Sequence, residues 1–448
     1  RAQSALSNGD SLYLRSGDYW RLGAPVRLDV SGSLQDPVVL GAYSVTSNGQ
    51  VNHTVSGARP ILDGGTTVPN RGLYAALVHV TGRYVHVQDI EIRNSGGGGL
   101  EYADTSDGVV RNVRVDRTFH HGILSNRSDD VAISNSEVSG DSYGWREYNA
   151  QWWGGGIAVA KGSGVSIRDC LVYEGYGEGI SAFFGSNDIA IENNTVYAAR
   201  AVGIYINATR DVRIRNNIVL GTSNPEFFRG SHGTTGPGIS LDNEAYQFEI
   251  SGGSVPLYKQ TGDVTIQNNL IAGTRVGIAF FEELPGAVYE NIQVLHNTVV
   301  DNTTQLRIGN QRHNGLTVAN NIFMSLSSGT SDYDPDDRTS DGIAWLSNFW
   351  SDGYPVYDMI GDCDVVGGLE LEKMSGWRDL RGFSDATWSD FSPATGASTI
   401  GAGSWVSVAG SSFDYNDVAF SNPPEIGALA DESGSGRRPI SPVLVSVH

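Results

Sequence analysis

Cysteine is almost absent from this chain of 448 residues: Cys170 and Cys363 are its whole thiol inventory. A structural metal site built from cysteine and histidine is therefore disfavoured, because such sites take four ligands. One disulfide between the two cysteines is compatible with the sequence but does not follow from it.

Long apolar runs and abundant charge are missing as well. No stretch of about eighteen apolar residues occurs, so the sequence offers no membrane-spanning helix. Charged residues make up only 18% of the chain, which excludes a disordered acidic chain. The formal net charge of -20 disfavours nucleic acids and anionic membranes as partners. It also disfavours a polyanionic substrate, unless cations or a local basic patch intervene, and lysine is scarce.

Glycine, in contrast, is abundant, with 57 residues, and many glycines open a short phrase that repeats. Gly99 and Gly122 are 23 positions apart, and so are Gly156 and Gly179. A period of this size is typical of stacked supersecondary units. The repeated phrases are Gly99-Leu100-Glu101-Tyr102, Gly122-Ile123-Leu124-Ser125, Gly156-Ile157-Ala158-Val159, Gly179-Ile180-Ser181-Ala182, Gly203-Ile204-Tyr205-Ile206, Gly238-Ile239-Ser240-Leu241 and Gly277-Ile278-Ala279-Phe280.

A second phrase, of the type V-x-I-x-N-N-x-V, follows the Gly-led phrase, as in Val212-Arg213-Ile214-Arg215-Asn216-Asn217. Each repeat thus holds two or three runs of alternating residues, which are strands too short to fold alone. Stacking coil on coil would bury their inward side chains in one column. We therefore predict an all-β fold, a single-stranded right-handed parallel β-helix with loop insertions and terminal caps.

These repeats resemble the parallel β-helix repeats of the pectate-lyase-like superfamily, over about residues 75 to 325. The resemblance implies a carbohydrate-active protein, but the same fold carries several chemistries. We predict a catalytic β-helix domain at residues 1–325, with an N-terminal cap at residues 1–30. Residues 326–448 are predicted to be an irregular C-terminal extension and a closing coil, Pro424-Glu425-Ile426-Gly427-Ala428, packed on the same solenoid.

The alternation of strand side chains predicts two columns on the outer face of the Gly-led strands. In each phrase the isoleucine and the residue two later point inward, and the positions between them point to solvent. Because coils lie about 4.8 Å apart, the members of a column line one groove. The first column is Glu101, Leu124, Ala158, Ser181, Tyr205, Ser240, Ala279 and Arg307, and the second is Ala103, Asn126, Ala160, Phe183, Asn207, Asp242, Phe281 and Gly309.

A further column is rich in asparagine and has a structural interpretation. Asparagine tolerates left-handed turn geometry and bonds to equivalent side chains above and below. The members are Asn112, Asn135, Asp169, Asn193, Asn216, Asn268, His296 and Asn320.

Carboxylates cluster in the middle of the repeats and are the candidate catalytic groups. Asp242 and Glu244 follow one Gly-led strand, and Glu282 and Glu283 stand in the matching register one coil later. Glu178 precedes Gly179 at the other end of the strand line. Carboxyls on adjacent coils lie about 5 to 9 Å apart, the range that glycoside hydrolysis uses. One carboxyl would act as the acid and the other as nucleophile or base. The alternative interpretation is that these residues are solvated acidic residues in turns, without a catalytic role.

The same region offers ligands for calcium. Asn207, Asp242 and Glu244 supply the hard oxygens that Ca²⁺ prefers. Polysaccharide lyases with the resembling fold often bind uronates through Ca²⁺ and use lysine or arginine as base. No motif in this sequence fixes such a base, so the lyase pattern is incomplete.

Aromatic and polar side chains beside these carboxylates are predicted to bind substrate. Sugar rings stack on flat aromatic faces while their hydroxyls meet polar groups. Packing of loops and turns onto the solenoid is the alternative interpretation. The predicted substrate-binding residues are Tyr205, Asn207, Ser240, His120, His121, Trp152, Trp153, Tyr148 and Arg307.

These observations favour a secreted or cell-surface enzyme that hydrolyses glycosidic bonds of a poly- or oligosaccharide and needs no cofactor. The chain begins at Arg1, which agrees with a removed signal peptide. Two alternatives stay open. One is a Ca²⁺-assisted polysaccharide lyase or epimerase acting on uronate chains, and the other is a non-enzymatic glycan-binding or surface-structural β-helix.

Overall fold

The computed structural model describes residues 6–53, 57–72, 75–150, 152–231, 233–244, 261–281, 288–308, 312–326, 330–333, 342–353, 361, 363–367, 399 and 426–427. The chain divides into two compact units, Arg1–Ala201 and Val202–His448. Each unit is built almost entirely from short parallel strands. No helix in these described ranges is long and apolar enough to cross a membrane.

Three parallel sheets form the first unit, and each coil of the chain contributes one strand to every sheet. The first sheet contains Leu12–Arg15, Val38–Val45, Val85–Gln88, Val109–Arg111, Ala132–Ser134, Ser163–Arg168 and Asn187–Glu192, with Val51–Asn52 antiparallel to Val38–Val45. The second contains Tyr19–Arg21, Ile61–Asp63, Glu91–Ser95, Arg114–Thr118, Glu137–Ser139, Leu171–Tyr173 and Thr195–Tyr197. The third contains Val26–Leu28, Ala76–Val80, Gly98–Ala103, Ile123–Asn126, Gly155–Ala160 and Glu178–Phe183.

The second unit repeats this arrangement. Its first sheet contains Arg210–Arg215, Gly262–Gln267, Val288–Leu295, Leu316–Ala319 and Ile343–Leu346, with Arg312–Asn314 beside Val288–Leu295. Its second contains Ile218–Leu220, Leu270–Ala272, Thr298–Val300, Ile322–Met324, Phe349–Trp350 and Val365–Val366. Its third contains Val202–Asn207, Ile239–Asp242, Val276–Phe280, Thr304–Arg307 and Ser331–Tyr333. The predicted parallel β-helix is confirmed in both units.

Alternation of burial along the strands explains how such short segments are held. In Ile123–Asn126 the first and third residues are buried and the other two are partly exposed. The glycine before this strand is needed for close approach: a Cβ at Gly122 would clash with Val138 Cγ1 and with the carbonyl oxygen of Gly156. The Gly-led phrase therefore marks a point where neighbouring backbones nearly touch.

The asparagine-rich column is confirmed as a structural feature. Every member has a positive φ, between 48° and 59°. Asparagine adopts this left-handed conformation at lower cost than most residues because its short side chain hydrogen-bonds locally. The column therefore marks one corner of each coil: Asn112, Asn135, Asp169, Asn193, Asn216, Asn268, His296 and Asn320.

The residue after that column forms a second ladder, which points inward and which the sequence analysis missed. The side-chain oxygen of Asn269 accepts from the backbone N and from Nδ2 of Asn217, at 2.9 and 3.0 Å. The same pair of hydrogen bonds recurs from Asn269 to Asn297, from Asn297 to Asn321, and from Asn321 to Asn348. These buried amides satisfy one another, which makes an interior row of polar groups tolerable.

The ends of the solenoid differ from prediction in two places. Residues 12–28 supply the first strand of each sheet, so the predicted N-terminal cap at residues 1–30 is itself a coil. Strands also continue past Met324, as far as Val365–Val366, because inward apolar residues go on alternating there without the Gly-led phrase. Within the predicted closing coil, the Gly427 N–H donates to the Asn320 carbonyl at 2.8 Å. The domain boundary at residue 325 stays a prediction, and both cysteines are free thiols.

Candidate functional site

The outer face of the third sheet in the second unit carries the central candidates in the predicted register. Tyr205 pairs with Ser240, Ser240 with Ala279, and Ala279 with Arg307. In the second column Asn207 pairs with Asp242. The alignment of successive coils is therefore confirmed, and amino acids 28 to 39 positions apart become lateral neighbours.

The predicted solvent exposure of this face is wrong at its centre. Asp242 keeps only 4% of its surface exposed, and Asn207 and Ser240 are buried as well. Alternation fixes which way a strand side chain points, but whether water reaches it depends on what packs above it. Asp242 and Asn207 are thus polar groups that bulk water does not reach. Electrostatic interactions are stronger at such buried positions than in water.

Asn207 and Glu244 are joined by hydrogen bonds, and Asp242 pairs with Asn207 in strand register. Asn207 Nδ2 donates to Glu244 Oε2 at 3.1 Å, and the Glu244 N–H donates to Asn207 Oδ1 at 3.0 Å. Asp242 Oδ1 accepts from the Asn243 N–H at 2.7 Å. The chain leaving the strand is tied back where the Thr261 hydroxyl donates to the Asp242 carbonyl at 2.6 Å. Asn207 therefore contacts Glu244 directly and stands beside Asp242 on the adjacent coil.

An aromatic ring and three arginines extend this group. The Phe281 N–H donates to the Leu241 carbonyl at 3.0 Å, which places Phe281 in the coil next to Asp242. The Arg307 guanidinium lies 5.3 Å from the centre of the Phe281 ring. Burial, and then the charges of Arg307 and Arg229, lower the pKa of Arg275. A local basic patch thus exists in a strongly acidic chain. The candidates Glu282 and Glu283 lie outside the described residues.

The proposed calcium ligands have the oxygen donors that Ca²⁺ prefers, but there are too few of them to complete its coordination. Asn207, Asp242 and Glu244 offer oxygen atoms, whereas Ca²⁺ takes six to eight. Asn207 Oδ1 already accepts the Glu244 N–H, and Asp242 Oδ1 already accepts the Asn243 N–H. No group of three or more histidine, cysteine or acidic residues suited to a metal occurs in the described part of the chain. Calcium binding stays a prediction, in which substrate and water would supply most ligands.

Three of the remaining candidates, Glu178, Trp153 and His121, lie at the strand Glu178–Phe183 in the first unit. Glu178 Oε1 accepts from the Trp153 indole N–H at 2.6 Å. Trp153 packs edge-on against Trp145 at 5.8 Å, and the Arg200 guanidinium lies 4.0 Å above Trp145. The charge-assisted bond fixes the orientation of the Glu178 carboxylate. Of the predicted catalytic carboxyls that the structure describes, Glu178 lies in the first unit, and Asp242 and Glu244 lie in the second.

The two adjacent histidines are held differently from each other. His121 Nδ1 accepts from the Gly155 N–H at 2.8 Å, so the proton of its neutral form lies on Nε2. Burial and the neighbouring His120 imidazole lower the pKa of His121 well below its ordinary value. The His121 ring stacks on Phe183 at 6.3 Å. His120 is buried edge-on against His121 at 4.1 Å, which limits its access to a substrate.

Two of the predicted substrate-binding aromatics are open to solvent. Tyr148 is 45% exposed and ends the short helix Tyr143–Tyr148, and Trp152 is 42% exposed. The Arg71 guanidinium lies 4.2 Å above the Tyr148 ring. Aromatic rings that are exposed on the protein surface suit stacking on a ligand.

Asp141 carries a strongly perturbed carboxyl that was not singled out from the sequence. Asp141 is completely buried, and burial together with the Glu178 charge raises its pKa to about 8. The neighbouring Ser142 hydroxyl accepts from the Gly154 N–H and donates to the Gly154 carbonyl, which uses its proton. Neither carboxyl oxygen of Asp141 meets a donor with good hydrogen-bond geometry among the described residues, although Ser142 and the Gly177 N–H lie near enough to offset part of the rise in its pKa. Nothing in the local sequence distinguishes it from a solvated loop acid.

Short parallel strands, a three-sheet coil and inward ladders define the chain as a right-handed parallel β-helix protein. Residues 75–255 match a sequence family described as "Right handed beta helix region". No curated protein sequence matches the chain significantly.

Solved structures share this fold at low sequence identity. Pectate lyase Pel9A superposes with a TM-score of 0.54 and 16% identity, covering 96% of this chain and 90% of that one. An alginate lyase from Paenibacillus sp. str. FPU-7 gives 0.47 and 14%, covering 64% and 89%. The catalytic unit of a GH87 alpha-1,3-glucanase from Streptomyces thermodiastaticus strain HF3-3 gives 0.45 and 15%, covering 82% and 64%. At such identities the likeness concerns the fold.

Proposed function

We propose that the protein is a carbohydrate-active enzyme that cleaves glycosidic bonds of a poly- or oligosaccharide by hydrolysis. The observation that carries this proposal is the register that sets Asp242 beside Asn207 in the third sheet, together with the hydrogen bonds between Asn207 and Glu244. One carboxyl would protonate the leaving oxygen, and the other would act as nucleophile or as base for a water molecule. Asn207 would hold the two groups in a fixed relation.

The surroundings of these carboxyls suit a sugar. Tyr205 and Phe281 place ring faces in the two columns that contain Ser240 and Asp242. Low exposure of Asp242 would strengthen its interaction with charge that develops on the sugar ring. The fold shared with pectate lyase Pel9A supports a polysaccharide as the substrate class. In the first unit, Glu178, Trp153, His121, Trp152 and Tyr148 stay predictions for substrate contacts.

The arginine patch favours a second candidate function. Burial, and then the charges of Arg307 and Arg229, lower the pKa of Arg275, and Arg307 also lies 5.3 Å from the centre of the Phe281 ring. Such a patch would attract uronate carboxylates despite the net charge of -20. The candidate is a polysaccharide lyase or epimerase, with Ca²⁺ held by Asn207, Asp242 and Glu244. We also propose that either enzyme acts outside the cell, where polysaccharides occur.

Product chemistry separates the candidates. The full chain is incubated with a panel of neutral and uronate-containing polysaccharides. New reducing ends without ultraviolet-absorbing unsaturated ends support hydrolysis. Unsaturated ends that disappear with a chelator support the lyase. Retention on a polysaccharide gel with neither new ends nor a change of uronate configuration in any substrate would contradict both and favour a binding protein.

The residue assignment is tested with Asp242→Asn. This variant keeps the side-chain shape but removes the ionisable group, so we expect cleavage to fall by about 10² to 10⁴-fold. The matched control is Asp211→Asn, the same change at an exposed position on the first sheet of the same unit. Wild-type activity in Asp242→Asn, with thermal unfolding unchanged, would remove Asp242 from the site.

A further inference from the structure

A polar group outside the proposed centre lies on the outer face of the third sheet in the first unit. His79, Glu101 and Asn126 belong to three consecutive strands of that sheet. His79 and Glu101 are paired directly, and Asn126 pairs with Ala103, two residues beyond Glu101. Parallel register therefore brings together side chains that are 22 and 25 positions apart.

Both oxygens of the Glu101 carboxylate are engaged. His79 Nδ1 lies 3.1 Å from Glu101 Oε2, and Asn126 Nδ2 donates to Oε1 at 3.1 Å. Glu101 is only 8% exposed, so a charge at this position requires compensating donors. Because an ionised carboxylate only accepts hydrogen bonds, His79 Nδ1 carries a proton. Glu101 thus orients the imidazole.

The other ring nitrogen of His79, Nε2, is available to a ligand. In neutral histidine with a proton on Nδ1, Nε2 is an acceptor. The His79 side chain is 23% exposed, and no described residue hydrogen-bonds Nε2. A partner needed only to satisfy Glu101 would not require a second, accessible acceptor. The arrangement holds one acceptor at a fixed place and angle.

The adjoining surface suits a polyhydroxylated ring. Leu124 follows Glu101 in the same column and is partly exposed, so it offers a low apolar floor, whereas Ala158 beyond it is buried. On the other side Arg27 pairs with His79 in register and is exposed. A small apolar floor bordered by fixed polar groups is the usual composition of a saccharide subsite.

We propose that His79, oriented by Glu101 and Asn126, is a saccharide-binding subsite of the first unit, in which Nε2 accepts a hydrogen bond from a sugar hydroxyl. The proposal rests on the proposed function only for the class of ligand. Glu101 and Asn126 act through His79 and are positioning residues.

The test is nuclear magnetic resonance of the full chain with isotope-labelled histidine, with His79 assigned from His79→Gln. We expect the Nδ1-protonated tautomer in the free protein and a shift of the His79 signals on adding short oligosaccharides. Neutral and uronate-containing oligosaccharides are the two arms, which distinguish a plain hydroxyl ligand from one that also uses Arg27. Affinity should fall about tenfold in His79→Gln, since one oriented hydrogen bond is lost.

Variants of Glu101 test the positioning role. Glu101→Leu copies the side chain that Leu124 carries one coil later, so the fold should accept it. We expect it to lose the fixed tautomer and about tenfold in affinity, whereas Glu101→Gln, which still offers an acceptor, should keep both. His86→Gln, on the first sheet of the same unit, is the control and should bind like wild type.

The outcomes are separable from those of the enzyme assay. His79 signals that no oligosaccharide shifts, or wild-type affinity in His79→Gln, would overturn the subsite even if Asp242-dependent cleavage is found. A tautomer unchanged in Glu101→Leu would overturn the positioning role. A ligand-dependent shift in a protein that cleaves nothing would support the subsite and contradict the proposed enzyme.

Discussion

Asp141 gives the first unit a stability that depends on pH, and its removal is the most direct test of the structure. The side chain is completely buried, no described residue gives it a well-formed hydrogen bond, and its pKa is raised to about 8. In the unfolded chain the same carboxyl titrates near the ordinary 3.8. Between these values the folded state binds a proton that the unfolded state has released.

The sign follows from linkage. A group that holds its proton more tightly in the folded state makes the free energy of unfolding fall as pH rises. The slope is about 1.4 kcal/mol per pH unit between roughly pH 4 and pH 8, and the loss is complete above the folded pKa. The whole effect of Asp141 is on the order of 5 kcal/mol by this arithmetic, which is an upper bound because buried sites relax.

Asp141→Asn removes the titration while nearly preserving shape. The free energy of unfolding of the variant, minus that of wild type, should therefore increase by about 2.7 kcal/mol from pH 5 to pH 7. The measurement is urea unfolding at a series of pH values, followed by tryptophan fluorescence. Any constant offset from the buried amide cancels in the slope. The matched control is Asp130→Asn, the same change at an exposed left-handed position in the same unit.

A difference between Asp141→Asn and wild type that stays constant from pH 5 to pH 8 would refute the reasoning. It would mean that the Asp141 carboxyl reaches water or a donor in the folded protein. If Asp130→Asn showed the same slope, the effect would be a general consequence of removing one negative charge from the chain.

Two further predictions concern the solenoid. Asn269→Leu should lower the free energy of unfolding by about 3 to 5 kcal/mol in urea titrations, because it removes the acceptor of the buried Asn217 donors. Asn193→Ala should lower it by only about 1 kcal/mol, the cost of placing alanine in a left-handed conformation. Equal losses in the two variants would contradict the ladder. A thiol reagent should label Cys363 alone in the native protein, because Cys170 is buried with a pKa raised to about 12, and fast labelling of both would contradict the assigned burial.

The inward amide ladder shows why sequence reasoning found one row of asparagines and missed its neighbour. Asn216 and Asn217 are adjacent and identical in type, yet one has a positive φ at the corner and the other is a buried link between coils. Local geometry requires the first, and the turn preference of asparagine predicts it. The second depends on contacts 52 positions away, which become visible only when the coils are stacked.

The sequence by itself determined the architecture. A repeat of 23 or 24 residues, the glycine at close approach and the alternation of Ile123–Asn126 fix the strands, their register and their inward faces, because each depends on neighbours at a constant spacing. Tertiary structure alone decided which outward groups matter. Burial of Asp242, isolation of Asp141 and the pairing of His79 with Glu101 depend on what loops and adjoining coils place around each side chain, and no repeat carries that information.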